Sequence, residues 1–367
     1  MAELLKNIYS EAFFKQFNTY LKRELKSFNE KEFLAKIFSE NWQNLELKDR
    51  MLHIATVLND YLDADYEKAC AEIIAIIDLH KREHSNGFNF EFMFFPEYIR
   101  LYGIENYDVS IKAIEKVTQF TSCEFVVRHF LNSYPEKMVK QMQAWAEHPH
   151  HYVRRLASEG MRTKLPWAIK VTHLNQNPQE IFAILNQLAN DESDWVRKSV
   201  ANSLNDLSKD FIEDTITFTK KWINHSKEVN QLLKHGNRTL LKNGHQEILN
   251  LFGFNSDLDF QVNIFQIKNP SINLGDDLHF ELEIDVNTAV KTTLRIEYRL
   301  YFLRQNNKHN SKTFKIKEQE IIGNQIVKVV TKQSFKPIST RKYYSGQQFI
   351  SLVVNGKEIE KTPFLIV

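Results

Sequence analysis

The segment HYVRRLASEGMRTKLPWA, residues 151–168, reads as a helix that ends in a turn. Val153 anchors an apolar face, Ala157 and Ser158 form a turn of small residues, and Gly160 followed by Leu165-Pro166-Trp167 stops the helix. Paired arginines (Arg154, Arg155), then Glu159 and Arg162, exceed what packing alone requires. Small residues allow a close approach to backbone, and the spacing predicts that another molecule makes it here. The arginines predict anion contacts, and a carboxylate set among them calls for a separate explanation.

The flanking sequence repeats this design. SIKAIEKVTQFT precedes SCEFVVRHFLNSY, EKMVKQMQAWAEH precedes the quoted helix, QEIFAILNQLAND precedes SDWVRKSVANSLNDLSKD, and DTITFTKKWINH precedes KEVNQLLKHGNRTLLKNG. The second members share a Val-Arg pair at Val127-Arg128, Val153-Arg154 and Val196-Arg197, the last two 43 residues apart. That interval fits HEAT-like helical repeats, in which each pair buries its apolar face only by stacking on the next into a curved solenoid. The first interval is 26 residues, so the array is irregular. Carried forward by the 43-residue period, Glu159 falls on Asn202, with Asp206 one turn beyond. Glu159, Asn202 and Asp206 are therefore expected to form one polar line.

Residues 1 to about 85 are also helical by periodicity, with Phe13, Phe14, Phe17, Tyr20 and Leu21 on one face. The run Ser85-Asn86-Gly87-Phe88-Asn89 reads as a loop, and the aromatics from Phe88 to Tyr98 as core beneath it. From Asp259 the period changes to two. FQVNIFQI, HFELEIDV, TTLRIEYRLYFL, KTFKIKEQE, IVKVVTKQSF, QQFISLVV and EKTPFLIV predict seven strands of a small immunoglobulin-like sandwich, punctuated by Asn269-Pro270, Gly275-Asp276-Asp277, Asn306-Asn307, Ser345-Gly346 and Asn355-Gly356. The fold class is α then β, with a helical-repeat domain over 1–255 and a β-sandwich over 259–367.

Composition sets limits on function. With 43% hydrophobic and 26% charged residues, and only 10 Gly and 8 Pro in 367, the chain is globular and neither collagenous nor linker-rich. No apolar run approaches the ~20 residues a bilayer span needs, and the start lacks a leader pattern. Two distant cysteines, Cys70 and Cys123, suit a reducing cytoplasm, and no membrane partner is expected. The net charge of +2 conceals an asymmetry of −5 over residues 1–123, +3 over 124–255, −2 over 256–259 and +6 over 260–367. An anionic partner would meet the middle and the C-terminal part.

There is no glycine-rich phosphate loop, CxxC pair or HExxH, so neither cofactor nor metal is expected. His148-Pro149-His150-His151 reads as a helix cap and connector. Three carboxylates stand out. Glu124 precedes Arg128 by four residues, the spacing of a helical ion pair; Glu159 follows Arg155 by four; Asp206 lies inside a helix. All three fall on expected second helices. Trp145, Trp195 and Trp222 are expected to plug gaps between repeats.

TSCEFVVRHF, RRLASEGMRTKLPWA, DWVRKSVANSLNDLSKD and LLKHGNRTLLKNG resemble the signature segments of the AlkC-type DNA alkylation-repair glycosylases, relatives of AlkD in the HEAT-like-repeat group. The resemblance covers about residues 85–255, and the β domain resembles that of one AlkC branch. It implies excision of cationic N-alkylated bases, chiefly 3-methyladenine and 3-methylcytosine, from duplex DNA without flipping the base, and the protein is expected to be a monomer. It assigns the active-site positions to Glu124, Glu159, Trp167 and Asp206. It assigns DNA-backbone contacts to the arginines of VRRLASEG and DWVRKS, Arg154, Arg155 and Arg197; Arg128, Arg162, Lys198, Asn202 and Arg238 are expected to join them, with Arg304, Lys308, Arg341 and Lys342 from the basic β domain closing a clamp. Thr163 stands where the family pattern leads one to expect proline. The alternative is a HEAT-like scaffold that binds DNA or protein without catalysis, which has no need of all four site residues together.

Overall fold

The computed structural model describes residues 4–84, 87–255, 257–339, 341–359 and 361–367. Ser85 and Asn86 of the expected loop, and Glu360 at the head of the last expected strand, lie outside these. The described residues form the helices α1 (Glu11–Glu24), α2 (Glu30–Ile37), α3 (Leu47–Asn59), α4 (Tyr66–Glu83), α5 (Phe94–Tyr102), α6 (Tyr107–Val117), α7 (Val126–Ser133) and α8 (Pro135–Trp145). They continue with α9 (His151–Glu159), α10 (Thr172–Gln176), α11 (Pro178–Leu188), α12 (Asp194–Leu207), α13 (Ile212–Trp222), α14 (Lys227–Gly236), α15 (Arg238–Lys242) and α16 (Gln246–Leu251). The strands follow as β1 (Asp259–Ile267), β2 (Ser271–Ile272), β3 (Asp277–Leu303), β4 (His309–Ser334), β5 (Gly346–Val354), β6 (Lys357–Glu358) and β7 (Thr362–Ile366). No described helix is long and apolar enough to cross a membrane. The backbone divides into two compact units, Met1–Leu207 and Ser208–Val367.

In the first unit, helix starts follow the local chemistry. Ser10 caps α1 by accepting from the Phe13 amide, and Pro135 and Pro178 open α8 and α11, where the missing N–H costs nothing. The pair α8–α9 stacks on α11–α12: α8 packs on α11 and α9 on α12. This is the stacking that the repeat spacing predicts. The aromatic run beneath the loop is core, with Phe92, Phe94, Phe95 and Tyr98 buried, but Phe88 is 37% exposed.

His80 on α4 is buried between Phe92 and Phe120, with ring centroids at 4.9 and 5.1 Å. Burial, followed by the neighbouring His84, pushes its pKa down to about 4. Below the ordinary histidine value of about 6.5 the unfolded chain takes up a proton that the folded one refuses until about pH 4, so stability falls as pH drops through that window. His80→Gln is expected to remove about 1–3 kcal/mol of this acid sensitivity. Unfolding midpoints of both proteins at pH 7 and pH 4.5 measure it.

The second unit contains α13–α16 and all the strands. The expected helix over 227–244 is instead two, because buried Asn237 turns its Nδ2 to the Thr219 hydroxyl and the Leu233 carbonyl, 2.9 Å from each. The strand order is β1-β3-β5-β7-β2, with β4 along β3 and β6 on β5. The strands also differ from those expected. HFELEIDV and TTLRIEYRLYFL join into β3, KTFKIKEQE and IVKVVTKQSF join into β4, and β2 and β6 are two-residue additions. Phe280 and Tyr298, both on β3, would lie about 60 Å apart along an extended strand. Their rings are 5.1 Å apart, so the β3–β4 hairpin folds over on itself, and its register is irregular between Thr288 and Thr292. β1 pairs with the first half of β3 and β5 with the second, and the two halves enclose one core (Leu282, Ile284 and Val286 against Leu294, Ile296 and Leu352). A single folded hairpin thus supplies both layers of the immunoglobulin-like domain.

The change from helix to strand falls between Leu251 and Asp259, but the boundary between compact units falls at Leu207. Helices α13–α16 belong with the strands. Gly244, after α15, and Gly356, between β5 and β6, have φ of 74° and 81°. A Cβ built on Gly244 would lie 2.9 Å from the Gly356 carbonyl oxygen. Only glycine fits this backbone-to-backbone approach.

Candidate active site

The first nine residues of HYVRRLASEGMRTKLPWA form α9, capped by His150, whose Nδ1 accepts from the Tyr152 amide at 3.2 Å. The histidine run is therefore a cap, as its position predicts. Ala157 and Ser158 are fully buried, and the Ser199 hydroxyl of α12 donates to that of Ser158 at 3.0 Å. The small residues admit the neighbouring helix and not a foreign molecule, which corrects the sequence expectation. Gly160 serves the same purpose on the other side: an added Cβ would meet Val127 of α7 at 2.6 Å.

That close packing draws the carboxylates together. Arg162 bridges two helices, with Nη1 2.6 Å from Glu159 and Nε 2.9 Å from Asp206. Arg155 reaches Glu124 at 3.1 Å and Glu159 at 3.9 Å. The result is an alternating line Glu124–Arg155–Glu159–Arg162–Asp206, three carboxylates and two guanidiniums with one net negative charge. Glu159 and Asp206 are 5% and 3% exposed. Burial works against the charge on Arg162, but the carboxylates of Glu159 and Asp206 outweigh it and hold its pKa above the usual arginine value. Asn202 lies half-buried on α12, one turn before Asp206.

Glu124 departs from its expected setting. It precedes α7, in a turn where its Oε2 accepts from the Ser122 hydroxyl at 2.8 Å, so the helical pair with Arg128 does not form. Arg128 is 1% exposed and donates to the carbonyls of Ile169, Gly160 and Arg162 at 2.7, 2.9 and 2.8 Å. It is a fastener for the chain after α9 and not the DNA contact expected of it.

That chain carries Trp167. Leu165-Pro166-Trp167-Ala168 is a turn with Trp167 at φ 64°, a left-handed value that glycine normally supplies at this position. The strain is held by anchors on either side: Arg128 on three carbonyls, Lys48 on the Trp167 carbonyl at 2.8 Å, and Asn132 on that of Lys170 at 3.2 Å. Trp167 is thus held in an unfavourable backbone with its side chain at the surface, 65% exposed, and does not plug a gap.

With this geometry in place, the chain can be set beside known proteins. Residues 95–238 match the model of the DNA alkylation repair enzymes, and residues 261–367 match the C-terminal Ig-like domain of YhaZ, an uncharacterised protein. The chain is 35% identical to Bacillus subtilis (strain 168) YhaZ over 362 residues, covering 99% of each. It superposes on Pseudomonas fluorescens alkylpurine DNA glycosylase AlkC, solved bound to DNA containing an abasic site analog, with a TM-score of 0.93 and 26% identity over the whole of both chains.

The chain belongs to the DNA alkylation repair enzyme family.

The matched repair-enzyme segment takes in Glu124, Glu159, Trp167 and Asp206. The basic residues of this family member divide by setting. Arg162 is a buried bridge within the carboxylate line and not an outward-facing phosphate contact. Arg154 pairs with Asp191 at 2.6 and 3.0 Å and also holds the His148 and Pro149 carbonyls, fastening α9 to the turn before α12. Arg197 holds the Asp191 and Glu192 carbonyls, and exposed Lys198 pairs with Asp194 at 2.7 Å. In the second unit, Arg238 lines a cleft of about 520 Å³ with Lys234, Lys242, Arg295 and Lys315. Arg304, Arg341 and Lys342 line another of about 670 Å³, with Arg341 3.9 Å from the Phe302 ring centroid, and Lys308 is exposed.

Trp145 is buried, as expected of a gap-filler, but Trp195 is 42% exposed, with the Arg155 guanidinium 5.2 Å from its ring centroid. Sequence reasoning placed Trp195 in the packing. The signal against that reading is its position in the first turn of α12, next to a chain of charges.

Proposed function

We propose that this protein is a DNA glycosylase that excises cationic N-alkylated bases, 3-methyladenine and 3-methylcytosine among them, from duplex DNA in the repair of alkylation damage. The observation that carries the reading is the line of three carboxylates, two of them buried, together with a strained and exposed tryptophan on the turn that follows α9. Family membership and the likeness to an alkylpurine glycosylase support it.

Alkylation at N3 gives the base a positive charge, so it departs neutral and needs little protonation. The barrier then lies in the oxocarbenium-like sugar, as in glycoside cleavage generally. Carboxylates fixed in a low-dielectric setting stabilise such a cation and position water for its capture. Asp206 and Glu159 take this role, held in orientation by Arg162. Trp167 offers its ring to the sugar or base. The carboxylates lie across neighbouring helices, a shape suited to the edge of a duplex more than to one extruded base, so the lesion is met without flipping. Phosphates are met by the basic side chains that remain outward, Lys198 in the first unit and Arg304, Lys308 and Lys342 in the second, with Arg238 and Arg341 in the basic clefts.

Incubation with duplex DNA treated with a methylating agent is expected to release free 3-methyladenine and 3-methylcytosine, quantified by chromatography. Duplex binding without release of any base would favour the scaffold instead.

A further inference from the structure

Of the two arginines in the carboxylate line, Arg162 is fixed at both ends, at 2.6 and 2.9 Å between buried acids. Arg155 is held more loosely, with one pair at 3.1 Å to Glu124 and a second stretched to 3.9 Å at Glu159. Its remaining partner is the ring of Trp195, which stands among other aromatics, with Phe88 at 6.0 Å and Tyr152 at 6.3 Å between centroids. The guanidinium is thus a flat, delocalised, weakly hydrated cation between an aromatic surface and a carboxylate. An N-alkylated purine or pyrimidine ring has the same description.

We propose that Arg155 holds the place of the cationic edge of the alkylated base as an internal surrogate, and that this edge, reached in the duplex without flipping, displaces the guanidinium from Trp195 and Glu124. The inference rests on the glycosylase reading and deepens it. Displacement converts charge into selectivity. A neutral base that pushed Arg155 aside would leave Glu124 facing no cation, whereas a cationic base restores both the aromatic and the carboxylate contact. Undamaged bases are refused without any steric test. The freed guanidinium has DNA phosphates available as new partners.

The test titrates 3-methylcytidine, a cation at neutral pH, and neutral cytidine into the full-length protein by calorimetry. A nucleoside carries no phosphate, so loss of backbone contacts does not enter. Arg155→Gln is expected to bind 3-methylcytidine at least tenfold more tightly than the unmodified protein, with cytidine unchanged. Arg155→Lys, which keeps the charge but not the flat ion, should gain less. Adding Trp195→Leu to Arg155→Gln should abolish the gain. Equal or weaker binding of 3-methylcytidine by both Arg155 variants overturns the proposal, as does a gain that survives Trp195→Leu. Base release from methylated duplex by the unmodified protein is measured in parallel. Release without the gain removes only the subsite, and the gain without release removes only the glycosylase reading.

Discussion

Asp206→Asn is expected to reduce base release from methylated duplex by at least two to three orders of magnitude, the range for losing one preorganised electrostatic stabiliser. Duplex affinity should be unchanged or higher. The substitution is nearly isosteric, and the amide oxygen can still accept from the Arg162 Nε that now lies 2.9 Å from the carboxylate. Arg162 also keeps its charged partner Glu159 at 2.6 Å, so the buried guanidinium is not left without a carboxylate. The loss is therefore expected in the chemical step, and single-turnover kinetics at saturating enzyme isolate it. Wild-type release by this variant would remove Asp206 from the mechanism and leave Glu159 as the acting carboxylate.

Arg128→Met should destabilise the first unit by about 3–5 kcal/mol, the usual cost of breaking a buried charged network from one side. The methionine fills much of the volume but leaves the carbonyls of Gly160, Arg162 and Ile169 without their donor. Burial and the nearby charge of Arg162 already push the Arg128 pKa down to about 10. Its ionised form persists because three carbonyl dipoles converge on it. Denaturant unfolding gives the stability change. Any activity left should carry a raised KM, since the strained turn at Trp167 loses its largest anchor.

These two residues show how far sequence reasoning reached. A 43-residue spacing of Val-Arg pairs places Glu159 and Asp206 on neighbouring second helices, and those helices do pack together. Spacing along one helix does not reveal which arginine meets which acid. Arg128 stands four residues after Glu124, yet Glu124 sits in a turn and Arg128 points into the chain beyond α9. Arg155, a whole helix pair away, takes the place assigned to it. The small residues of α9 illustrate the same limit, because a gap filled by α12 and a gap open to DNA look alike in one dimension. Trp195 was hidden by its size, since a large aromatic reads as core until its neighbours are known. The alternation of the β strands was legible, but their folding over was not. No proline or glycine lies between Thr288 and Thr292 to mark the place.

The contact between Gly244 and Gly356 bears on the ancestry of such a chain. A recombination joint in the stretch 252–258, where helix gives way to strand, would separate backbones that touch, and any unrelated partner would bring a Cβ into the 2.9 Å gap. A joint at 207–208 would carry both glycines together. Exchange of the C-terminal module between lineages is thus expected to transfer four helices with the strands, and grafts that begin at the first strand should yield insoluble protein.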